Sequence, residues 1–345
     1  MLLNRYKINP DHLATEPIET FIEPCRPARA GEIPIIDLGS IHSGDRASFE
    51  SVARQVGDAC ERIGFFYVVN HGISRLIIES AFAEARRFFE LPDKVKAELA
   101  YNDIQRGYKA QGTIIIPGHP PDRKEVFDMG VDISPDHIGV REGRPLHGPN
   151  QWPADSAFRK SMEAYYSRVC SLGHSLLPVF ARALGLGASF FDSFHRDPFI
   201  TWRIMRYPGG SSAPGQYGTA PHTDFGTLTL LAQDNSGGLQ LCLRDGEWVS
   251  APIVENSFVV NIGDLMACWT NDRFTSTPHR VINDSDHDRY SIPLFFNPSF
   301  DTVAQCLPTC QDDDNPPRYQ PIHYGEYLTQ IYGRIFAPVS SQSSR

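Results

Sequence analysis

Near residue 200 the hydrophobic period of this chain changes from 3.6 residues to 2, and no other feature constrains its fold as much. From there "TWRIMRYP", "GTLTLLAQ", "GLQLCLR", "EWVSAP", "SFVVNIGDLMACWT", "STPHRVIN" and "RYSIPLFF" run as short segments parted by Gly, Asn and Asp turns. Side chains alternate across a strand, so each segment offers one face to a core and one to another layer. Seven or eight such strands within about 100 residues suggest a closed barrel or a jelly roll. Crossing connections would separate a jelly roll from a meander, and spacing leaves that point open.

The preceding half is mixed. Residues 1–30 are polar and Pro-rich, as suits a surface arm. "IPIIDL" (33–38) and "GFFYVVN" (64–70) read as strands. Between them, Phe49, Val52, Val56 and Cys60 recur at helical spacing over 48–62. A helical region follows from Ser74 to Leu99, broken at "LPDK", where Pro92 can open a new first turn. From Phe158 to Leu184 a core-facing helix carries Met162, Tyr165, Val169, Leu172, Leu176 and Phe180, with a bend expected at Pro178. The expected organisation is an N-terminal helical and mixed region (1–150) packed on a β core with its supporting helix (151–335), then a polar tail (336–345).

Composition narrows the function. A formal charge of −9 without any Lys/Arg run argues against nucleic acid. Apolar runs such as "GFFYVV" are too short to span a bilayer, and the N-terminus lacks the pattern of an export signal. Seven scattered cysteines fit a reducing compartment. Cys306 and Cys310 form a C-x3-C pair with no second ligand pair nearby, which disfavours zinc. A cytoplasmic enzyme acting on a small molecule, as a monomer or homodimer, is the expectation.

One segment carries a conflict. "APHTDFGTLTLLA" (220–232) contains "DFG", the metal-binding triplet of protein kinases, and "HTD", an imidazole two residues before a carboxylate. A kinase also needs a Gly-rich loop, a third-strand lysine and an H-R-D-type loop. None is present, and the chain continues as strands. The metal reading requires a third ligand on a later strand, and "STPHRVIN" supplies His279. His222, Asp224 and His279 make the two-histidine, one-carboxylate facial triad of Fe(II) oxygenases. Downstream, Arg289 and Ser291 share a strand face and can clamp a carboxylate, Arg with its planar fork. Alternation also groups Arg203, Met205 and Tyr207, so Tyr207 can add a phenol donor.

With "IPIIDL", "GFFYVVNHGI", "FFELPDKVK", "RGYKAQG", "MRYPGG", "HTD", "GGLQL", "VVNIGDLMACWTND", "STPHRV" and "RYSIPLFFNP" in order, the chain resembles the isopenicillin N synthase-like branch of iron(II)/2-oxoglutarate-dependent oxygenases from about residue 32 to 335. The resemblance implies an α+β fold with a mainly β core: a double-stranded β-helix, a cupin-like jelly roll, flanked by N-terminal and C-terminal helices. It implies Fe(II) on His222, Asp224 and His279, and the distal carboxylate of 2-oxoglutarate on Arg289, Ser291 and Tyr207. Where many plant members have Asn, this chain has Met205. The implied reaction consumes O2 and 2-oxoglutarate, releases succinate and CO2, and hydroxylates, desaturates or cyclises at a C–H bond. Ascorbate is a candidate auxiliary reductant. Because Asp224 is present, halogenation is disfavoured.

Candidate pocket residues are Tyr108, Gln111, Thr113, Ile114, Ile116, Arg203, Phe225, Phe295 and Asn297. The isoleucines and aromatics suggest a partly apolar pocket for a small metabolite. An anchor for an anionic substrate is missing unless Arg203 or Arg106 points inward. Arg203 can equally form a buried ion pair, and Phe295 can equally be core. Asn297 shares the face of Arg289 and needs a polar partner. "PPDRKE" (120–125) reads as a charged surface stretch, His71 as a structural turn residue, and Gly237-Gly238 as a tight turn. A nucleobase or amino acid substrate, a 2-oxoglutarate-independent oxidase of the same fold, and a silent binding protein are the alternatives.

Overall fold

The computed structural model describes residues 21–41, 45–116 and 118–335, so the first twenty residues of the expected arm and the tail 336–345 lie outside it. The N-terminal part supplies β1 (Cys25–Pro27), β2 (Ile35–Asp37), helix α1 (Arg46–Arg62) and β3 (Phe65–Val69). Helices α2 (Arg75–Phe89) and α3 (Asp93–Ala97) follow, then β4 (Gly107–Lys109), β5 (Glu125–Gly130) and the short α4 (Ile138–Arg141). The long α5 (Ser156–Ala183) leads into β6 (Thr201–Tyr207), β7 (Thr219–His222), β8 (Leu228–Gln233), β9 (Leu239–Cys242), β10 (Trp248–Ser250) and β11 (Phe258–Ile262). After α6 (Asp264–Trp269) come β12 (His279–Val281), β13 (Arg289–Phe296), β14 (Val303–Ala304), β15 (Ile322–His323) and α7 (Tyr324–Ile335).

Two sheets hold the site. One has the order β2-β3-β11-β8-β13-β6-β5-β4, the other β1-β10-β9-β12-β7. Sequential strands are split between the sheets, so the connections cross and the double-stranded β-helix expected from the sequence is the observed core. Residues before 150 contribute β2–β5 to the larger sheet and β1 to the smaller. One expected strand is partly a helix: "SFVVNIGDLMACWT" gives β11 and then α6, whose N-cap Gly263 is extended. Gly263 sits so close to Gly226 that a Cβ would approach its carbonyl oxygen to 2.3 Å.

Alternation sorts the larger sheet's side chains without exception along β6, β8 and β13. Trp202, Ile204, Leu230, Ile292 and Leu294 face the helices and join one apolar core. Their neighbours Arg203, Tyr207, Thr229, Gln233, Arg289 and Ser291 face the space between the sheets. Helices α1, α2 and α5 cover the outer face. In α5, Asp155 caps the first turn by accepting from Ala157 N at 2.8 Å, and Phe158, Met162, Tyr165, Val169, Leu172, Leu176 and Phe180 are all buried at the expected spacing. The helix runs on through Pro178. Tyr165 donates to Ile292 O at 2.7 Å, pinning α5 to β13.

The charged stretch 120–125 is a correction to the surface reading. Asp122, Lys124 and Glu125 are buried. Buried charge is tolerated only when paired, and these are. Lys124 lies 2.9 Å from Asp122, while Glu125 takes Lys96 at 2.9 Å, Arg206 at 2.6 Å and the Tyr108 hydroxyl at 2.5 Å.

Candidate metal centre and substrate pocket

His279 and His222 are register partners on β12 and β7, and Asp224 follows two residues after His222. One donor atom from each of the three lies within 4.8 Å of the others. Nε2 of each histidine stands 3.9 Å from Asp224 Oδ1. The opposite ring nitrogens bond to backbone carbonyls: His222 Nδ1 with Ala220 O at 2.9 Å, His279 Nδ1 with Thr277 O at 3.1 Å. That fixes the tautomer and aims both Nε2 lone pairs at one point. Asp224 Oδ2 accepts from Thr229 Oγ1 at 2.5 Å and Asn261 Nδ2 at 2.6 Å, which leaves Oδ1 for a ligand. Burial, then the neighbouring His279, push the His222 imidazole down to about 3. Burial raises the Asp224 carboxyl, but His279 and His222 outweigh it and hold it below its ordinary value. Two imidazoles and a carboxylate are the donor set a divalent iron takes. The residues fit the metal.

Next along the cavity, Arg289 is buried beneath Gly237, Gln233 and Ser291. Its Nε donates to Gly237 O, Nη2 to Gln233 Oε1 at 3.2 Å and Nη1 to Ser291 Oγ at 3.3 Å. An Arg side chain has five N–H groups, so donors remain for a carboxylate. The Tyr207 ring lies 4.8 Å from the guanidinium, and its hydroxyl accepts from Thr219 Oγ1 at 3.3 Å. Thr219 in turn accepts from Lys124 Nζ at 2.9 Å. The Gly237-Gly238 turn is tight, as expected, with both residues at positive φ. It also carries the carbonyl that orients Arg289, which its spacing did not reveal.

A second polar cluster occupies the other end. Arg203 Nε lies 2.7 Å from Asp128 Oδ1, and its guanidinium is 5.4 Å from the Phe295 ring centre. Lys109 Nζ stands 3.9 Å from Asp128 Oδ2 and 3.4 Å from the Tyr101 ring centre. Burial pushes the Lys109 ammonium down to about 6 against the pull of Asp128, with Arg203 and Lys124 adding to the fall. Arg106 is fully buried; Nη1 donates to Ile104 O and Gln105 O, while Nε and Nη2 meet no acceptor among the described residues. It lies flat on Gly130, where a Cβ would come within 1.9 Å of Nη2. Arg203 therefore combines the two roles open to it, ion-paired yet on the cavity face.

The expected pocket residues do not all gather here. Phe295 is half-buried on the inner face of β13 beside Arg203. Phe225 is half-buried, one residue beyond Asp224. Tyr108 points the other way: its ring meets Phe88 and its hydroxyl Glu125, on the helix side of the sheet. Its neighbour Lys109 takes the inner face, as one step along a strand requires. Gln111 and Thr113 are exposed, with Thr113 Oγ1 donating to Ala110 O at 2.7 Å. Ile114 is buried, whereas Ile116 packs with Ile22, Tyr217, Ala220 and Ile282 in a small separate cluster. Asn297 has its partner, but it is backbone: Oδ1 accepts from Thr227 N at 3.1 Å and crowds Gly226, bracing the turn after Asp224 rather than lining a pocket. His71 is structural, accepting from Ile73 N at 3.2 Å. Sequence reasoning missed Asn261, Thr229 and Gln233; the signal was a polar residue at an inward position of an otherwise apolar strand.

The jelly roll and the His-Asp-His cluster together define a candidate non-heme iron enzyme. Two family descriptions match the chain: the N-terminal region of the non-haem dioxygenases of morphine synthesis over residues 33–155, and the 2OG-Fe(II) oxygenase superfamily over 199–298. A 2-oxoglutarate-Fe(II) type oxidoreductase, hxnY of Emericella nidulans, is 37% identical over 319 residues, covering 88% of this chain and 91% of that protein. Homoarginine-6-hydroxylase of Glycine max is 35% identical, covering 86% and 95%. A Neurospora crassa crystal structure with alpha-KG and thymine superposes with a TM-score of 0.79 at 31% identity, covering 88% and 96%. The chain belongs to the isopenicillin N synthase-like family of Fe(II)/2-oxoglutarate oxygenases, and it is an Fe(II)- and 2-oxoglutarate-dependent oxygenase. No helix among the described residues is long and apolar enough to cross a membrane.

Proposed function

We propose that His222, Asp224 and His279 hold the Fe(II), that Arg289, Ser291 and Tyr207 hold the distal carboxylate of 2-oxoglutarate, and that a small metabolite lies between the iron and the Arg203–Asp128 pair. The observation that carries this reading is the split role of Asp224. Thr229 and Asn261 occupy Oδ2, so Oδ1 is presented to the point where both Nε2 atoms converge. When bound, iron and 2-oxoglutarate supply the oxidising power that activates O2 for attack on a C–H bond. The protein's own contribution is positional. Ala220 and Thr277 carbonyls hold the imidazoles oriented. Gly237, Gln233 and Ser291 hold the Arg289 fork, so little side-chain freedom is lost when a carboxylate arrives. Lys124, Thr219 and Tyr207 form a hydrogen-bonded row linking the metal side to the clamp. Hydroxylation is the simplest outcome, with desaturation or ring closure requiring a second hydrogen to be lost from the same substrate.

An anaerobic titration of the Fe(II)-loaded protein with 2-oxoglutarate tests the site. A saturable visible charge-transfer band is expected, lost in His279→Ala and right-shifted in Arg289→Ala. A band unaffected by either substitution would move the site elsewhere in the chain.

A further inference from the structure

Among the described residues, the end of the cavity away from Arg289 carries more positive than negative charge, and its place relative to the clamp can be read from strand register. Along β6, Arg203 lies four residues before Tyr207, a separation of about 13 Å at roughly 3.3 Å per residue. β13 runs antiparallel to β6, so Arg289 stands opposite Tyr207 while Phe295 stands opposite Thr201, beside Arg203. Phe295 is also in register with Thr229, whose hydroxyl holds Asp224. The metal site therefore reaches the level of Phe295, and with Arg289 assigned to 2-oxoglutarate the Arg203 end is the one left for a primary substrate. On β5 the inner face leads from Lys124, whose charge reaches His222, through Val126 to Asp128.

Two guanidinium groups, Arg106 and Arg203, meet there, with the Lys109 amine, whose proton burial loosens, beside them. Among the described residues, Asp128 is the carboxylate recorded against them, 2.7 Å from Arg203 Nε and 3.9 Å from Lys109 Nζ. Asp132, the next acid that Arg106 feels, is engaged by Arg159 at 3.1 Å and Trp152 Nε1 at 3.2 Å. Lys124 is matched by Asp122. Buried guanidinium N–H groups are normally satisfied, yet Nε and Nη2 of Arg106 have no acceptor among the described residues. A second positive centre would aggravate this balance, and a neutral amide or nucleobase would leave it unchanged. An anion corrects it.

We propose that the primary substrate is a compact carboxylic acid, its carboxylate received by Arg203, Lys109 and Arg106, with Asp128 bracing the cations and the Phe295 and Tyr101 rings flanking its body. This rests on the assignment of 2-oxoglutarate to the Arg289 end. It names these residues as the determinants of substrate class, distinct from the cosubstrate clamp. The low affinity of Lys109 for its proton fits the same geometry, since an arriving carboxylate restores the charge that burial disfavours.

Calorimetric titration of the anaerobic Fe(II)-loaded protein, kept saturated with 2-oxoglutarate so that the Arg289 clamp is filled, separates the cases. The probes are benzoate, phenylacetate, 3-phenylpropionate and hexanoate, each against its primary amide. At least one acid should bind about tenfold or more tightly than its amide, since hydrogen bonds to charged groups are worth that much. Arg203→Met and, separately, Lys109→Met should abolish the preference, and retained 2-oxoglutarate affinity certifies that each variant is folded. Acids binding no better than amides, or not at all, with 2-oxoglutarate binding intact overturns the proposal. So does tighter binding of a cation such as agmatine. Failure of the wild-type protein to bind 2-oxoglutarate removes the underlying site reading, and this proposal with it.

Discussion

The two ends of the barrel cavity are built by different rules. At the metal centre and the clamp, each functional side chain is held by a residue nearby in register or in sequence: His222 by Ala220 O, His279 by Thr277 O, Arg289 by Ser291, Gln233 and the Gly237 turn. At the other end the charged groups come from separate segments: Tyr101, Arg106 and Lys109 before and on β4, Asp128 on β5, Arg203 on β6 and Phe295 on β13. The first is a property of strand spacing. The second depends on how β4 and β5 dock against β6.

The contrast can be broken most forcefully at the metal. Changes to groups that merely orient a metal ligand cost roughly 10–100-fold, so His279→Ala, which removes a ligand, should lower 2-oxoglutarate-dependent succinate release by more than that. Wild-type turnover in this variant would dissolve the distinction between the ends. Asn261→Ala should sit one level down, weakening Fe(II) by about 10–100-fold in an anaerobic metal titration, because Asp224 Oδ2 keeps only Thr229. An unchanged iron affinity would mean that orientation of Asp224 is set elsewhere.

Arg289→Ala should raise the 2-oxoglutarate Kd about ten- to a hundredfold, from a charged hydrogen bond worth roughly 1.5–3 kcal/mol, with iron affinity preserved. A shift in substrate KM instead would place the substrate, not the cosubstrate, on the clamp. The smallest effect is expected from Tyr108→Phe. Removing its hydroxyl costs Glu125 one of several partners, about 1 kcal/mol and a Tm drop of about 2 °C by thermal melt. Substrate KM should move by less than about twofold, since that hydroxyl faces the helices. A large change in KM would return Tyr108 to the pocket and blur the boundary between inner and outer faces.

Tyr108 and Lys109 show why the pocket was less legible than the metal centre. "RGYKAQG" contains too few residues for alternation to announce which of the two turns inward. The surrounding sheet decided otherwise by pairing Tyr108 with Phe127 and Lys109 with Val126. The stretch 120–125 misled for a related reason: a run of charges is ordinarily solvated, and only long-range partners such as Lys96 and Arg206 make its burial tolerable. Asn297 is, as its inward position implies, a polar group that needs a partner, and it finds one in the Thr227 backbone N–H.

The sequence by itself determined the β core, the α5 stripe, the iron triad candidates and the carboxylate clamp candidates. These follow from periods of 2 and 3.6 and from donor chemistry at fixed spacing, which local geometry imposes whatever lies around it. Only the tertiary structure decided that Asn261 and Thr229 free one oxygen of Asp224, that Arg106, Lys109 and Arg203 share a cavity end with Asp128, and that Tyr108 does not. Those contacts join residues far apart in the chain, where charge and burial depend on which strands become neighbours. That pairing is a property of the whole packed sheet, and no single segment encodes it.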